Sequence, residues 1–241
     1  MSFYRNLALS VGALLAFNAF AQSPVRVAID PTYPPMEFMQ DGHRVGFDID
    51  LAKALEAKMQ RKFEYTDMDF KALVPSILAN RQDIVLSAIY ITPARKKVVD
   101  FTTPYFSAGL VALVNNDGNV HSLSDLDGKT VAVQVGTKSV VYMKTHFPKV
   151  KLMEVETNES MFNALQSKRA QAVVTGRPAA LTYARKTGKS HVLNEMITHE
   201  NYGIAVSKNK PELKAALDKA IKEVKADGTY NKLMKKWFAS K

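Results

Sequence analysis

Arg95 closes the run Ser87-Ala88-Ile89-Tyr90-Ile91-Thr92-Pro93-Ala94-Arg95. The residues before it, 84–89, are mostly apolar and β-branched, which predicts a strand covered on both faces. Thr92-Pro93 then predicts a helix start, with threonine as the cap and proline in the first turn. Arg95 would project from the carboxyl end of that strand, where ligands of open α/β sheets collect. A guanidinium grips a carboxylate through two parallel hydrogen bonds, a geometry lysine cannot match. Spacing alone favours a solvated surface arginine.

Other chemistries find little support in the chain. It has no cysteine, so thiolate metal sites, disulfides and a lipid-bearing cysteine are all excluded. The five histidines, His43, His121, His146, His191 and His199, are dispersed beside turns and helix ends. Nothing reads as a nucleophile elbow, a phosphate-binding glycine loop or a metal-ligand cluster, so no cofactor and no metal are expected.

The elements that must position Arg95 come after a leader. Arg5, an apolar stretch over residues 7–20 and the triplet Ala19-Phe20-Ala21 predict a secretory signal peptide, 1–21, cleaved after Ala21. The expected location is the periplasm. About 220 residues remain, enough for one large domain or two small ones, and 46% of the chain is apolar. Removal of Arg5 lowers the formal charge from +10 to +9. The lysines are scattered along helices and not gathered with aromatics, so the charge reads as solvated surface and no nucleic-acid partner is expected.

From Val25 onward strand and helix patterns alternate. Residues 25–29, 63–66 and 84–89 read as strands, with a helix capped by Asp48 and another over 71–80 between them. The pattern restarts after the turn-rich segment 115–119, with strands at 130–135, 152–155 and 170–175 and helices at 139–147, 160–168 and 178–186. Residues 202–207 form a further strand, and Pro211 opens an amphipathic helix that Gly228 ends. Order of this kind implies α/β lobes built on mostly parallel sheets.

Six segments in fixed order resemble one family: Gly46-Phe47-Asp48-Ile49-Asp50-Leu51, Met68-Asp69-Phe70, the Arg95 run, Leu126-Asp127-Gly128-Lys129, Gly136-Thr137, and Asp227-Gly228-Thr229-Tyr230-Asn231-Lys232. They resemble the polar amino-acid-binding proteins of bacterial ABC importers, solute-binding protein family 3, and among them the glutamine- and the histidine/lysine/arginine/ornithine-binding proteins. The resemblance implies the two-lobed type II periplasmic-binding-protein fold with two crossovers. Lobe one would comprise 22–107 plus 204–241, and lobe two 108–203.

What the resemblance implies for the site is specific. Arg95 would bind the ligand's α-carboxylate, aided by backbone N–H groups near Tyr90 and Thr137, the latter at a helix start that favours an anion on physical grounds too. Tyr33 and Phe70 occupy the two positions that sandwich the ligand side chain, and Asp30 an acidic position facing it. Gly176 stands where the family usually places the aspartate that binds the α-ammonium; either Asp30, Glu200 or another acid substitutes, or the ligand's amine is placed differently or missing. Ala88 and Tyr90 replace smaller residues, which favours a small ligand such as a short-chain amino acid of either hand. Lys138 and Arg177 add positive charge, which would suit an acidic or amine-free carboxylate ligand instead.

The expected function is capture of an amino acid, without catalysis, by a monomer that delivers it to an inner-membrane ABC permease. The alternatives are a periplasmic enzyme of the same frame, dehydratase-like, or a sensor module for an amine-free carboxylate.

Overall fold

The computed structural model describes residues 23–239. The expected leader, 1–21, lies outside them. Two five-stranded sheets organise the rest, each flanked by helices.

The first sheet runs Phe63–Asp67, Val25–Ile29, Ile84–Val85, Ala205–Val206, Asp100–Phe101 in spatial order. Its first three strands are parallel, and the last two run antiparallel to their neighbours. The second sheet, Lys151–Val155, Thr130–Gln134, Ala172–Gly176, Leu110–Asn115, Ser190–Met196, has the same mixture. The sheets are therefore mixed, where mostly parallel ones were expected. The strands that return beside a lobe's central strand enter from the opposite end, and a strand without a βαβ crossover is free to pair antiparallel.

Between the sheets, Phe106–Ala108 pairs with Glu200–Tyr202 as a two-stranded ribbon. Both connections between the lobes pass through it. The helices Pro211–Ala226 and Thr229–Phe238 pack on the helix Phe47–Met59, beside the first sheet. In Pro211–Ala226 the buried side chains are Leu213, Leu217, Ala220, Ile221 and Val224, one stripe at helical spacing. Each large one contributes about 1.5–3 kcal/mol by leaving water. Trp237 Nε1 donates to Asp50 at 2.9 Å, and the Tyr230 hydroxyl donates to the Tyr105 carbonyl at 2.6 Å.

Two local expectations change. Asp48 does not cap its helix: the helix begins at Phe47 and Gly46 precedes it with no side-chain cap bond. Asp48 is instead buried in the first turn, accepting from the Ala88 N–H at 2.8 Å and the Tyr105 hydroxyl at 2.7 Å. The strand expected over 84–89 pairs only at Ile84 and Val85. Ser87 to Tyr90 leave the ladder because Ala88 adopts φ +43°, a left-handed conformation costly for a residue with a Cβ.

Candidate functional site

Where the two lobes meet, a cavity of about 30 Å³ is lined by Asp30, Tyr33, Glu37, Phe70, Ser87, Ala88, Tyr90, Gln134, Thr137, Ser139, Asn158, Val174, Thr175, Gly176 and Tyr202. Seven of the nine residues expected at the site, Asp30, Tyr33, Phe70, Ala88, Tyr90, Thr137 and Gly176, are among them. Arg95 and Lys138 are not among the lining residues.

Arg95 lies on the short helix Pro93–Lys96, whose N-cap Thr92 accepts from the Arg95 N–H at 3.2 Å. Its guanidinium donates to the Tyr90 carbonyl at 3.0 Å and across the lobe junction to the Gly136 carbonyl at 3.2 Å, and rests 5.5 Å from the Phe70 ring centre. Burial pulls its pKa down to about 10, because loss of hydration disfavours the charged guanidinium. It remains cationic at neutral pH.

The cavity floor is acidic and tightly bonded. Asp30, 4% exposed, follows the first strand; its carboxylate accepts from Thr32 Oγ1 at 2.8 Å and from Gln134 Nε2, on the second lobe, at 2.7 Å. Burial raises its pKa. Glu37 accepts from Ser87 Oγ at 3.0 Å, and Ser87 Oγ accepts from the Asp30 N–H at 3.0 Å. Glu37 Oε2 and Asp48 Oδ1 are buried without a hydrogen-bond partner among the described residues. Desolvation and the neighbouring Asp48 hold the Glu37 pKa well above the carboxylate range, and burial pushes Asp48 up to about 7.

The opposite wall is phenolic. The Tyr33 and Tyr202 hydroxyls are 3.3 Å apart, and Tyr202 donates to Tyr90 at 3.4 Å. Tyr90 and Tyr202 rings lie 4.7 Å apart, tilted by 50°. Burial raises all three pKa values, so the wall is neutral.

Several expectations shift here. Lys138 pairs with Glu200, which also accepts from Thr198 Oγ1 at 2.7 Å, so neither presents a free charge to the cavity. Glu200 therefore does not stand in for an acid at Gly176, and Lys138 gives an acidic ligand no free cation. Arg177 is exposed and lines a separate groove with Phe106 and Arg185. Thr137 precedes the helix Lys138–His146, but its N–H makes a long 3.4 Å bond to the Gln134 carbonyl and its hydroxyl a short one, 2.7 Å, to the same atom.

Sequence reasoning missed Glu37, Ser87, Gln134, Asn158 and Tyr202. Gln134 and Tyr202 each end a strand at the lobe junction, a placement that only the folded order of strands reveals. Glu37 lies in the hairpin formed by Glu37–Gln40 and His43–Val45, whose turn signal Asp41-Gly42 was available. Among the described residues no set of acids and histidines could hold a metal ion.

With that geometry in hand, the comparisons are decisive: the model of the bacterial extracellular solute-binding proteins, family 3, matches residues 25–240. The chain belongs to this family. It is 34% identical to the ABC transporter arginine-binding protein 1 of Escherichia coli (strain K12), over 95% of this chain and 98% of that one. An ancestral arginine-binding protein bound to arginine superposes with a TM-score of 0.86 at 39% identity, covering 91% of this chain and 100% of that one. An ancestral amino acid-binding protein, a precursor of cyclohexadienyl dehydratase, gives 0.84 at 39%, covering 90% and 96%. The family-3 chain thus has the type II two-lobed fold of these neighbours, and no helix among its described residues is long and apolar enough to cross a membrane.

Proposed function

We propose that this family-3 chain is the periplasmic component of an ABC importer that captures a small amino-acid-type solute by its carboxylate. The observation that carries the reading is Arg95, a guanidinium at the lobe junction met by two main-chain carbonyls and an aromatic ring, but by no carboxylate among the described residues. Even half-buried, a cation without an anion is costly, and a ligand carboxylate relieves that cost.

Capture is conformational. The ligand meets the lobe of residues 22–107 and 204–241 first, and closure of residues 108–203 then adds Thr137, Gln134 and Gly176. The closed monomer presents both lobes to an inner-membrane permease. Capture without catalysis is supported by the carboxyls at the junction, which accept from hydroxyls and an amide.

The test is calorimetry on refolded protein, freed of carried-over ligand, against amino acids and small carboxylates, repeated with Arg95→Ala. The variant should unfold at the wild-type temperature and lose at least 100-fold in affinity, about 2.7 kcal/mol. Near-normal affinity would refute the anchor. Consumption of the ligand, followed by NMR, would favour an enzyme over a carrier.

A further inference from the structure

We infer that the site reads its ligand's carboxylate and does not read an α-ammonium, so that small 2-hydroxy acids bind as tightly as the matching amino acids. The inference rests on the Arg95 anchor proposed above.

The wall at the end of the strand Ala172–Gly176 leaves no place for an acid. A Cβ added to Gly176 would lie 2.2 Å from the Tyr33 hydroxyl, 2.3 Å from that of Tyr202 and 3.1 Å from that of Tyr90. The first two are well inside van der Waals contact, so the three phenols occupy the volume that any side chain at 176 would need. They form a chain of hydroxyl contacts, Tyr33 to Tyr202 to Tyr90, at 3.3 and 3.4 Å. Phenolic oxygens offer a ligand hydroxyl both a donor and an acceptor. They offer an ammonium no counter-charge.

The remaining acids are already committed. Asp30 is bonded to Thr32 and, across the junction, to Gln134. Glu37, which lines the cavity, accepts from Ser87, and its burial beside Asp48 holds its pKa well above the carboxylate range. Glu200 is neutralised by Lys138. An α-ammonium brought in beside the Arg95 cation would thus be desolvated next to a like charge, and the acids that line the cavity are Glu37, whose pKa is held well above the carboxylate range, and Asp30, already accepting from Thr32 and Gln134. A hydroxyl in its place carries no such penalty.

Calorimetry on the refolded protein with matched pairs decides the matter: L-alanine against L-lactate, L-leucine against L-2-hydroxyisocaproate, and L-glutamate against L-2-hydroxyglutarate. In any pair that binds, the hydroxy acid is expected within tenfold of the amino acid or tighter. An amino acid favoured by more than tenfold overturns the inference and leaves the Arg95 anchor standing. Failure of every carboxylate to bind removes the anchor, and the inference with it. Asp30→Asn supplies an independent reading, because it should leave the ratio within each pair unchanged. A selective loss of the amino acid by more than tenfold in that variant would identify Asp30 as an ammonium clamp and overturn the inference.

Discussion

Gln134 donates to Asp30 across the junction of the two lobes, Nε2 to Oδ2 at 2.7 Å. The same amide group accepts from Asn158 Nδ2 at 3.0 Å, and Asn158 also reaches Thr32 Oγ1 at 3.4 Å. These polar bonds, with the exposed Lys71–Glu156 pair at 2.7 Å, tie one lobe to the other beside the cavity. A surface pair such as Lys71–Glu156 is worth little, so the buried amide–carboxylate bond carries the clasp.

Gln134→Ala should therefore weaken closure with little effect on the fold. Leaving a buried carboxylate oxygen without its donor costs about 1–3 kcal/mol, and the cost falls on the closed form alone. We expect ligand affinity to drop about 10-fold while the melting temperature of the free protein changes little; unchanged affinity would show that the bond plays no part in the bound form.

Asp48 ties stability to pH. Its pKa rises from 3.8 to about 7 on folding, because burial disfavours the charged carboxylate. The folded state then binds the proton more tightly than the unfolded chain, so the stabilisation this group provides is full below about pH 4 and fades as pH rises through about 7. The Asp48→Asn variant carries no such group at this position. The stability difference between wild type and variant, from urea unfolding at pH 4 and pH 7.5, should move against the wild type as pH rises, and a constant difference would contradict the assignment.

Gly46 is irreplaceable on steric grounds. It has φ +132°, and a Cβ there would lie 2.1 Å from the Met36 carbonyl oxygen, a backbone atom that cannot rotate away. Gly46→Ala should destabilise by about 3 kcal/mol or more through strain and displacement of the hairpin. Thermal unfolding measures it; a melting temperature within a degree of wild type would rule the strain out.

Arg95→Lys separates charge from geometry. The ammonium keeps the positive charge but cannot place two N–H groups side by side on a carboxylate. Affinity should fall about 10- to 100-fold, less than in Arg95→Ala, as read by calorimetry. Equal losses in the two variants would mean that the planar fork contributes everything and the charge nothing.

Much of this protein was legible in its residues. Residues 25–29 and 130–135 announce strands through recurring β-branched residues, Thr92-Pro93 fixes the start of the Arg95 helix, and the six ordered segments point to the family. Local rules suffice there because capping, burial and turn chemistry act over a few residues. The direction of the returning strands is a different matter: antiparallel pairing of Ala205–Val206 beside Ile84–Val85 depends on where a distant crossover re-enters the sheet.

By itself the sequence determined the α/β alternation, the position of the candidate anchor and the absence of an acid at Gly176. Only the tertiary structure decided what that absence means. Tyr33, Tyr90 and Tyr202 are separated by up to 169 residues, yet their hydroxyls converge on the one position without a side chain. It also decided that Lys138 and Glu200 cancel each other and that Glu37 and Asp48 are buried side by side, which raises both pKa values. Electrostatic and steric terms of this kind depend on distances of a few ångströms between residues far apart in the chain, and periodicity and spacing hold no record of them.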